Sequence, residues 1–238
     1  MPLESNREFW NEKARENPFW YVSSFVSYDD PDLDEFWRSG RRIWSDLRSE
    51  LGHAPAQGQT LVEIGCGVGR LTQAIAAEAR HVHAQDISAE MLSVAKNVAL
   101  PNVTFHLGDG ATLEGIESGC SDLTLAYNVF QHLPSLQVLA GYLGEMRRVT
   151  KPGGLIAFTL SRRKWSDPLL PILRIKRRVR EYVSKRGPSG LYTQEWLGIR
   201  PNVDEVRALS ATALKYTVLH ENKWLFSARL ETRRVPTR

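Results

Sequence analysis

The chain has 238 residues, enough to bury a hydrophobic core without disulfides or metals to hold it together. Hydrophobic residues make up 42% and charged residues 24% of it, which argues against a disordered or fibrous protein. Its two cysteines, Cys66 and Cys120, cannot complete a tetrahedral metal site or a secreted disulfide framework. No apolar stretch has the length of a signal peptide core or a membrane span, so we expect a cytoplasmic protein.

The formal net charge of +4 is unevenly distributed. Between residues 161 and 186, ten basic side chains stand against two acidic ones, a local balance of +8 that leaves −4 for the remainder of the chain. Such a segment can be a solvated helix face, an attractor for an anionic acceptor, or a contact for RNA or an acidic membrane surface. Four aromatic residues lie within or soon after it, which suits either a planar small molecule or nucleic acid: Trp165, Tyr182, Tyr192 and Trp196. We favour a small molecule, because the sequence carries no known RNA-binding signature.

Residues 1–55 mix aromatic and charged side chains and predict an N-terminal helical cap, in which residues 34–51 have the spacing of an amphipathic helix. From Leu61 onward, short apolar runs alternate with stretches of helical periodicity. This alternation is typical of parallel strands joined by helical crossovers. The five runs read LVEIG, HVHAQDI, VTFHLGD, DLTLAYNVF and GLIAFTL.

The C-terminal part, residues 201–238, predicts a helix in DEVRALSATA and then a β-hairpin formed by KYTVLHE and KWLFSARLE. The predicted fold class is therefore α/β, with a Rossmann-like, seven-stranded, mostly parallel sheet and an antiparallel C-terminal hairpin. Within a single domain spanning residues 1–238, we expect the ligand-binding core at 58–160 and a basic lid at 161–200, inserted after the fifth strand.

Three glycines, Gly65, Gly67 and Gly69, follow the first predicted strand and precede a helix. An open parallel sheet binds ligands at such a position. A dinucleotide fingerprint would require a further glycine where Arg70 stands. Glu63 would repel a pyrophosphate, but it could order amide and ammonium groups around a ligand that carries positive charge. The loop therefore indicates a ligand other than a dinucleotide.

The stretch VEIGCGVGRLT resembles motif I of the class I S-adenosylmethionine-dependent methyltransferases, E/D-x-G-x-G-x-G. The resemblance covers about residues 58–160, where the turn TKPGG before the fifth strand also matches. It implies S-adenosylmethionine as cofactor and S-adenosylhomocysteine as product. At this loop it assigns cofactor contacts to Glu63, Gly65, Cys66, Gly67 and Arg70.

Later segments agree with the same family in chain order. By resemblance, Asp86 in HVHAQDIS would hold the ribose hydroxyls, about 20 residues beyond the first glycine, and Asp109 in HLGDGATL would accept from the adenine amino group. The remaining expected cofactor contacts are Ile87, Met91, Gly110, Ala111, Asn128 and Val129. The strand that ends at Asn128 would come closest to the transferred methyl group.

His132 is the best-placed candidate for a general base, because imidazole can remove a proton near neutral pH. The alternative is that His132 only packs in the turn that precedes Pro134. No cluster of oxygen ligands stands at the expected site, so the sequence predicts metal-independent transfer.

The expected function is methyl transfer to an oxygen, nitrogen or carbon of a small molecule, either anionic or aromatic. RNA methylation and noncatalytic cofactor binding stay open as alternatives. The RNA alternative is disfavoured because Asn128, Val129, Phe130 and Gln131 replace the Asn-Pro-Pro-Tyr motif of many nucleic-acid methylases. The sequence gives no indication of the oligomeric state.

Overall fold

The structure is a computed structural model that describes residues 3–52, 58–160, 188–191, 193–199, 201, 203–214, 216–221 and 225–230. The basic segment and most of the predicted lid therefore lie outside the described residues, as do Trp165, Tyr182 and Tyr192. Of the four aromatic residues noted there, the structure describes Trp196.

Three helices precede the sheet: α1 (Leu3–Glu16), α2 (Pro18–Val22) and α3 (Leu33–Leu51). The predicted amphipathic helix is α3, which begins one residue earlier than expected because the Asp32 carboxylate accepts a hydrogen bond from a backbone N–H of the first turn. It ends at Leu51, and the following Gly52 has a φ of +57°, the left-handed conformation common after helices. Its buried residues, Phe36 and Trp44 among them, lie on one face of the helix, and this face packs against the rest of the protein.

Seven strands form one sheet in the order β3-β2-β1-β4-β5-β7-β6. The strands are β1 (Thr60–Ile64), β2 (His81–Asp86), β3 (Val103–Leu107), β4 (Ser121–Ala126), β5 (Thr150–Thr159), β6 (Tyr216–Glu221) and β7 (Leu225–Leu230). The first five pair in parallel, and β7 pairs antiparallel to both β5 and β6. The predicted α/β architecture, mostly parallel with antiparallel C-terminal strands, is confirmed.

The remaining described helices are α4 (Arg70–Ala76), α5 (Ala89–Lys96), α6 (Leu136–Val149), α7 (Gln194–Leu197) and α8 (Val203–Leu214), with a short 3-10 helix at Phe130–His132. They cover both faces of the sheet. Val62 and Ile64 of β1 pack in one core with residues of α6 and α8, while Leu61 packs in a second core with residues of α3 and α4. None of the described helices combines the length and the apolar composition that crossing a bilayer requires.

The chain order reverses between β1 and β4, which are neighbours in the sheet although β2 and β3 intervene in sequence. The segments that follow β1 and β4 therefore diverge at the carboxyl edge of the sheet and leave a crevice between them. This crevice is where the fold places its candidate site.

Candidate active site

A cavity of about 780 Å³ occupies this crevice. Most of the residues that the sequence predicts for the site line it: Glu63, Gly65, Cys66, Gly67, Arg70, Asp86, Ile87, Met91, Gly110, Asn128, Val129 and His132. Asp109 and Ala111 are not among its lining residues. The volume lies in the upper part of the usual range for small-molecule sites, so a cofactor and an acceptor can share the cavity.

The glycine loop makes close approaches that a larger residue would prevent. At Gly65, whose φ is +70°, an added Cβ would overlap the side chain of Val129. At Gly67, with φ of +55°, an added Cβ would lie 2.8 Å from Cγ2 of Val22 in the cap. The two glycines therefore let the loop after β4 and the N-terminal cap close onto the end of β1.

The Asp86 carboxylate lies at the end of β2 and is fixed by two backbone donors. Its Oδ2 accepts from the Gly67 N–H at 2.8 Å and its Oδ1 from the Ser88 N–H at 2.9 Å. Burial raises the pKa of Asp86, and these hydrogen bonds oppose the rise. Each oxygen has lone pairs left. The partly buried carboxylate is thus held in place and can still accept from the hydroxyls of a diol.

Glu63 is 3% exposed, and its Oε2 accepts a hydrogen bond of 2.7 Å from the Thr72 hydroxyl. Burial, together with the nearby charge of Asp86, raises the pKa of Glu63 to about 7. A cation brought into the cavity would favour the ionised form of this carboxyl.

Arg70 is a buried cation on the cavity wall. One guanidinium nitrogen donates to the Ser39 hydroxyl at 3.2 Å, and the guanidinium lies over the Phe36 ring at 5.6 Å. Within the described part of the chain, no carboxylate lies at ion-pair distance from Arg70. Burial lowers its pKa. A ligand carboxylate would supply the missing counter-charge.

The turn after β4 is fixed by Asn128, a non-glycine residue with φ of +59°. Its backbone N–H donates to the Thr159 hydroxyl at 2.7 Å, which ties the end of β4 to the end of β5. This conformation brings Val129 against Gly65.

The Asp109 carboxylate forms its hydrogen bonds within its own turn. Its carboxylate accepts from the backbone N–H groups of Ala111 and Thr112 at 2.8 and 2.7 Å and from the Thr112 hydroxyl at 2.9 Å. Burial would raise the pKa of Asp109, but these bonds lower it. Its predicted adenine contact stays a prediction, because Gly110 alone of this turn reaches the cavity wall.

The His132 ring packs against two tryptophans from distant parts of the sequence. Its ring centroid lies 5.1 Å from that of Trp10 in α1 and 5.3 Å from that of Trp196 in α7. Nδ1 lies 2.6 Å from the Trp196 carbonyl oxygen and must be the donor, so Nε2 is the acceptor, 3.1 Å from the Gln131 amide nitrogen. Burial lowers the pKa of His132 to about 4, which keeps the imidazole neutral at physiological pH.

Several cavity residues were not predicted from the sequence, because they come from the cap and the C-terminal third. They include Asn6, Trp10, Val22, Phe25, Leu191 and Trp196. Phe25 is 97% exposed, so its ring projects from the cap loop beside the cavity. The tryptophans were visible as aromatic residues, but no spacing in the sequence connects residues 10 and 196.

Helix α1 also reaches the side of the cavity on which Asp86 lies. Oδ1 of Asn11 accepts from the Ser88 hydroxyl at 2.8 Å, two residues after Asp86. Further along α1, the Lys13 ammonium bonds the carboxylate of Glu16 at 2.8 Å and the hydroxyl of Ser189 at 2.5 Å. The cap is therefore fastened both to the core and to the segment that precedes α7.

Across the residues that the structure describes, no three His, Cys, Asp or Glu side chains are grouped so that they could hold a metal ion. Both cysteines are free thiols. Burial raises the pKa of Cys66, the cysteine on the cavity wall, so its thiol stays protonated and is a poor nucleophile.

Comparison with known proteins adds to this geometry. Residues 62–158 match the family model described as "Methyltransferase domain". A ubiquinone biosynthesis O-methyltransferase from Paraburkholderia xenovorans is 27% identical over 155 residues, which cover 64% of this chain and 61% of that protein. A protein of the same name from Paracidovorax citrulli is 27% identical over 197 residues, covering 72% of this chain and 81% of its own length.

Solved structures share the fold. The N-methyltransferase NodS from Bradyrhizobium japonicum, in complex with S-adenosylhomocysteine, superposes with a TM-score of 0.61 at 16% identity and covers 94% of this chain and 98% of its own. Magnesium protoporphyrin IX methyltransferase from Synechocystis gives a TM-score of 0.62 at 15% identity, covering 96% and 99%. At these identities the likeness is one of fold.

Proposed function

We propose that this chain is a class I S-adenosylmethionine-dependent methyltransferase that transfers a methyl group from that cofactor to a small-molecule acceptor. The observation that carries the proposal is the arrangement of three ionisable side chains on one cavity wall, of which Glu63 and Arg70 are buried and Asp86 is partly buried. Glu63, Arg70 and Asp86 stand where the strand ends β1 and β2 meet the glycine loop.

The cavity suits the cofactor group by group. The fixed carboxylate of Asp86 would accept from the two ribose hydroxyls, and Arg70, which lacks an acidic partner among the described residues, would pair with the methionine carboxylate. Glu63 would offset the positive charge of the ammonium and sulfonium groups. Ile87, Met91 and Gly110 would lie along the adenosine, and Asn128 and Val129 would lie near the sulfur.

When bound, the cofactor supplies a methyl carbon already activated by its sulfonium. The chain then has three tasks: to align an acceptor atom with that carbon, to exclude water, and to receive a proton. The aromatic wall formed by Trp10 of α1 and Trp196 of α7 suits the first two. His132 suits the third once the Gln131 amide releases Nε2, since the carbonyl of Trp196 fixes the Nδ1–H tautomer and leaves Nε2 as the basic atom.

An oxygen acceptor is the version that we favour. The curated relatives named above are O-methyltransferases by name. Because the chain covers 61% of the first of them, the activity and acceptor stay proposals for this chain. The same proposal includes metal-independent transfer and a cytoplasmic location. It also divides the chain into a cap at 1–55, a core at 58–160, a lid at 161–200 and a C-terminal part at 201–238.

The test combines binding with turnover on the purified full chain. Calorimetry should show S-adenosylhomocysteine binding, and mass spectrometry should find an adenosyl compound retained by the protein. An acceptor screen should then detect formation of S-adenosylhomocysteine. Retention of NAD or a flavin, with no binding of S-adenosylhomocysteine, would overturn the proposal. Binding without turnover for any acceptor would instead favour a noncatalytic cofactor-binding protein.

A further inference from the structure

The turn after β3, which the sequence predicts to bind the adenine, uses its polar groups on itself. The Asp109 carboxylate accepts from the Ala111 N–H at 2.8 Å, and neither residue lines the cavity. Gly110 does line it, but a glycine has no side chain. A base that packs against Gly110 thus receives no side-chain hydrogen bond from this turn.

Helix α6 lies directly beside the same turn. Oε2 of Glu145 accepts from the Leu113 N–H at 2.9 Å, and an added Cβ at Gly141 would lie 3.7 Å from the Ala111 carbonyl oxygen. Tyr142 stands between those two helix positions, is 5% exposed and lines the cavity. The helix therefore brings a tyrosine to the part of the cavity where this turn lies.

The Tyr142 hydroxyl is available to a ligand in the cavity. It forms no hydrogen bond to any residue that the structure describes, yet its oxygen is not sealed from the cavity. The ring that carries it is fixed, because Tyr142 belongs to the hydrophobic core and Phe130 packs against it with centroids 5.6 Å apart. A polar group held in this way can bond a ligand at little further cost in conformational entropy.

Two carboxylates determine what this hydroxyl can do. Burial raises the pKa of Tyr142, and the nearby charges of Asp109 and Asp86 raise it further. The hydroxyl therefore keeps its proton at physiological pH and can donate a hydrogen bond. Because both charges act on it, Tyr142 lies within electrostatic reach of the carboxylate that would hold the ribose and of the turn against which the base would pack.

We propose that Tyr142 is a cofactor-binding residue whose hydroxyl donates a hydrogen bond to a ring nitrogen of the adenine. This contact takes the place of the side-chain contact predicted for Asp109. The inference rests on the proposed function and specifies how its cofactor is recognised. Since the base is unchanged by methyl transfer, the same contact should form with S-adenosylmethionine and with S-adenosylhomocysteine.

Deaza analogues of S-adenosylhomocysteine identify the bonded atom, because the 1-deaza, 3-deaza and 7-deaza compounds each replace one ring nitrogen by a C–H group. Calorimetry on the purified full chain measures the Kd of the parent compound and of each analogue. Tyr142→Phe keeps the ring and removes the hydroxyl, so it should weaken binding of the parent about three- to tenfold. It should weaken two of the analogues by the same factor and leave the third unchanged, since that one has already lost the accepting nitrogen.

Stability and a matched variant show whether the effect is merely structural. Without ligand, Tyr142→Phe should melt no lower than the natural chain, because the hydroxyl that it removes has no partner among the described residues. Tyr28→Phe is the control: its hydroxyl bonds Glu16 in the cap, and Tyr28 does not line the cavity. Its affinity for S-adenosylhomocysteine should stay within about twofold of that of the natural chain.

The outcomes separate this inference from the proposed function. If the natural chain binds S-adenosylhomocysteine and Tyr142→Phe binds it equally well, the adenine contact is wrong and the methyltransferase proposal stands. The same conclusion follows if Tyr142→Phe weakens the parent and all three analogues alike. If the natural chain neither binds S-adenosylhomocysteine nor forms it with any acceptor, the proposed function fails and the inference fails with it.

Discussion

The two halves of the cavity are built by different means. The half that we assign to the cofactor carries three ionisable side chains and comes from the ends of strands β1, β2 and β4 and the loops that follow them. The half that we assign to the acceptor is neutral and aromatic, and comes from α1, α7 and the 3-10 helix, which are far apart in the chain. A parallel sheet brings its strand ends together whatever the surface segments do, whereas the acceptor wall depends on how the cap and the C-terminal segment pack. The first half can therefore be shared across a family, while the second can be particular to one chain.

The largest expected effect falls on the acceptor half. His132→Ala should lower turnover by about 10²- to 10⁴-fold, the usual contribution of a general base, and change the affinity for S-adenosylhomocysteine less than twofold. Turnover is followed as S-adenosylhomocysteine formation and affinity by calorimetry. Gln131→Ala, which removes the amide at Nε2 and leaves the imidazole, is the matched control. Near-normal turnover in His132→Ala would show that the residue only packs.

The pH dependence of turnover tests the same role of His132. The base acts in its unprotonated form, and the pKa of His132 is lowered to about 4. Its contribution to turnover should therefore be constant between pH 6 and 9 and fall only as the pH drops toward 4. A titration of turnover near pH 6.5 that disappears in His132→Ala would contradict the buried, neutral imidazole.

On the cofactor half, Asp86→Asn should weaken S-adenosylhomocysteine binding about 10- to 100-fold, since hydrogen bonds to a charged group contribute roughly 1.5–3 kcal/mol. Binding of an aromatic probe should change less than twofold. Asp204→Asn, at a carboxylate exposed on α8, is the control. Equal losses for cofactor and probe would show that the two halves are not separable.

Glu63 should give the cofactor half a pH dependence that the acceptor half lacks. The ionised form is the one that favours the ammonium group that S-adenosylhomocysteine carries, and the pKa of Glu63 is about 7. Affinity for S-adenosylhomocysteine should therefore fall about tenfold from pH 8 to pH 6, and Glu63→Gln should abolish this slope. Calorimetry at both pH values measures it.

The same carboxyl affects stability with the opposite sign. Its pKa is higher folded than unfolded, so the fold loses stability as the pH rises from about 4.5 through 7. At pH 8, Glu63→Gln should thus raise the unfolding free energy by up to about 3 kcal/mol while it weakens binding. Thermal unfolding with and without S-adenosylhomocysteine separates the two effects, and a lower melting temperature at pH 8 would contradict the buried carboxylate.

The smallest effect is expected at Phe25. Its ring is exposed, so Phe25→Ala should change the unfolding free energy by less than about 0.5 kcal/mol. Because the residue also lines the cavity, affinity for an aromatic probe should fall about two- to fivefold. A loss of stability without a loss of affinity would place Phe25 in the cap's packing.

The cofactor half could be predicted from the sequence, whereas most of the acceptor half could not. The glycine loop, Glu63 and Asp86 lie at strand ends in a fixed chain order. Their proximity in the fold could therefore be predicted from the sequence alone. Asp109 shows the limit of that reasoning, because its carboxylate is engaged by its own turn at Ala111 and Thr112. Asn6 and Trp10 could not be assigned to the site, since only the packing of α1 brings them to His132.

Helix α1 connects the two subsites. Asn6 contacts His132 on the acceptor wall, and Asn11 bonds Ser88 beside Asp86. Five helical residues advance about 7.5 Å, so the number of α1 residues between the two asparagines determines the distance between the two contacts. An insertion of one residue between them would turn the later contact by about 100° and break this registration. Anyone who exchanges the cap to redirect the acceptor must therefore conserve the length of α1 between these asparagines, however freely the remaining positions are altered.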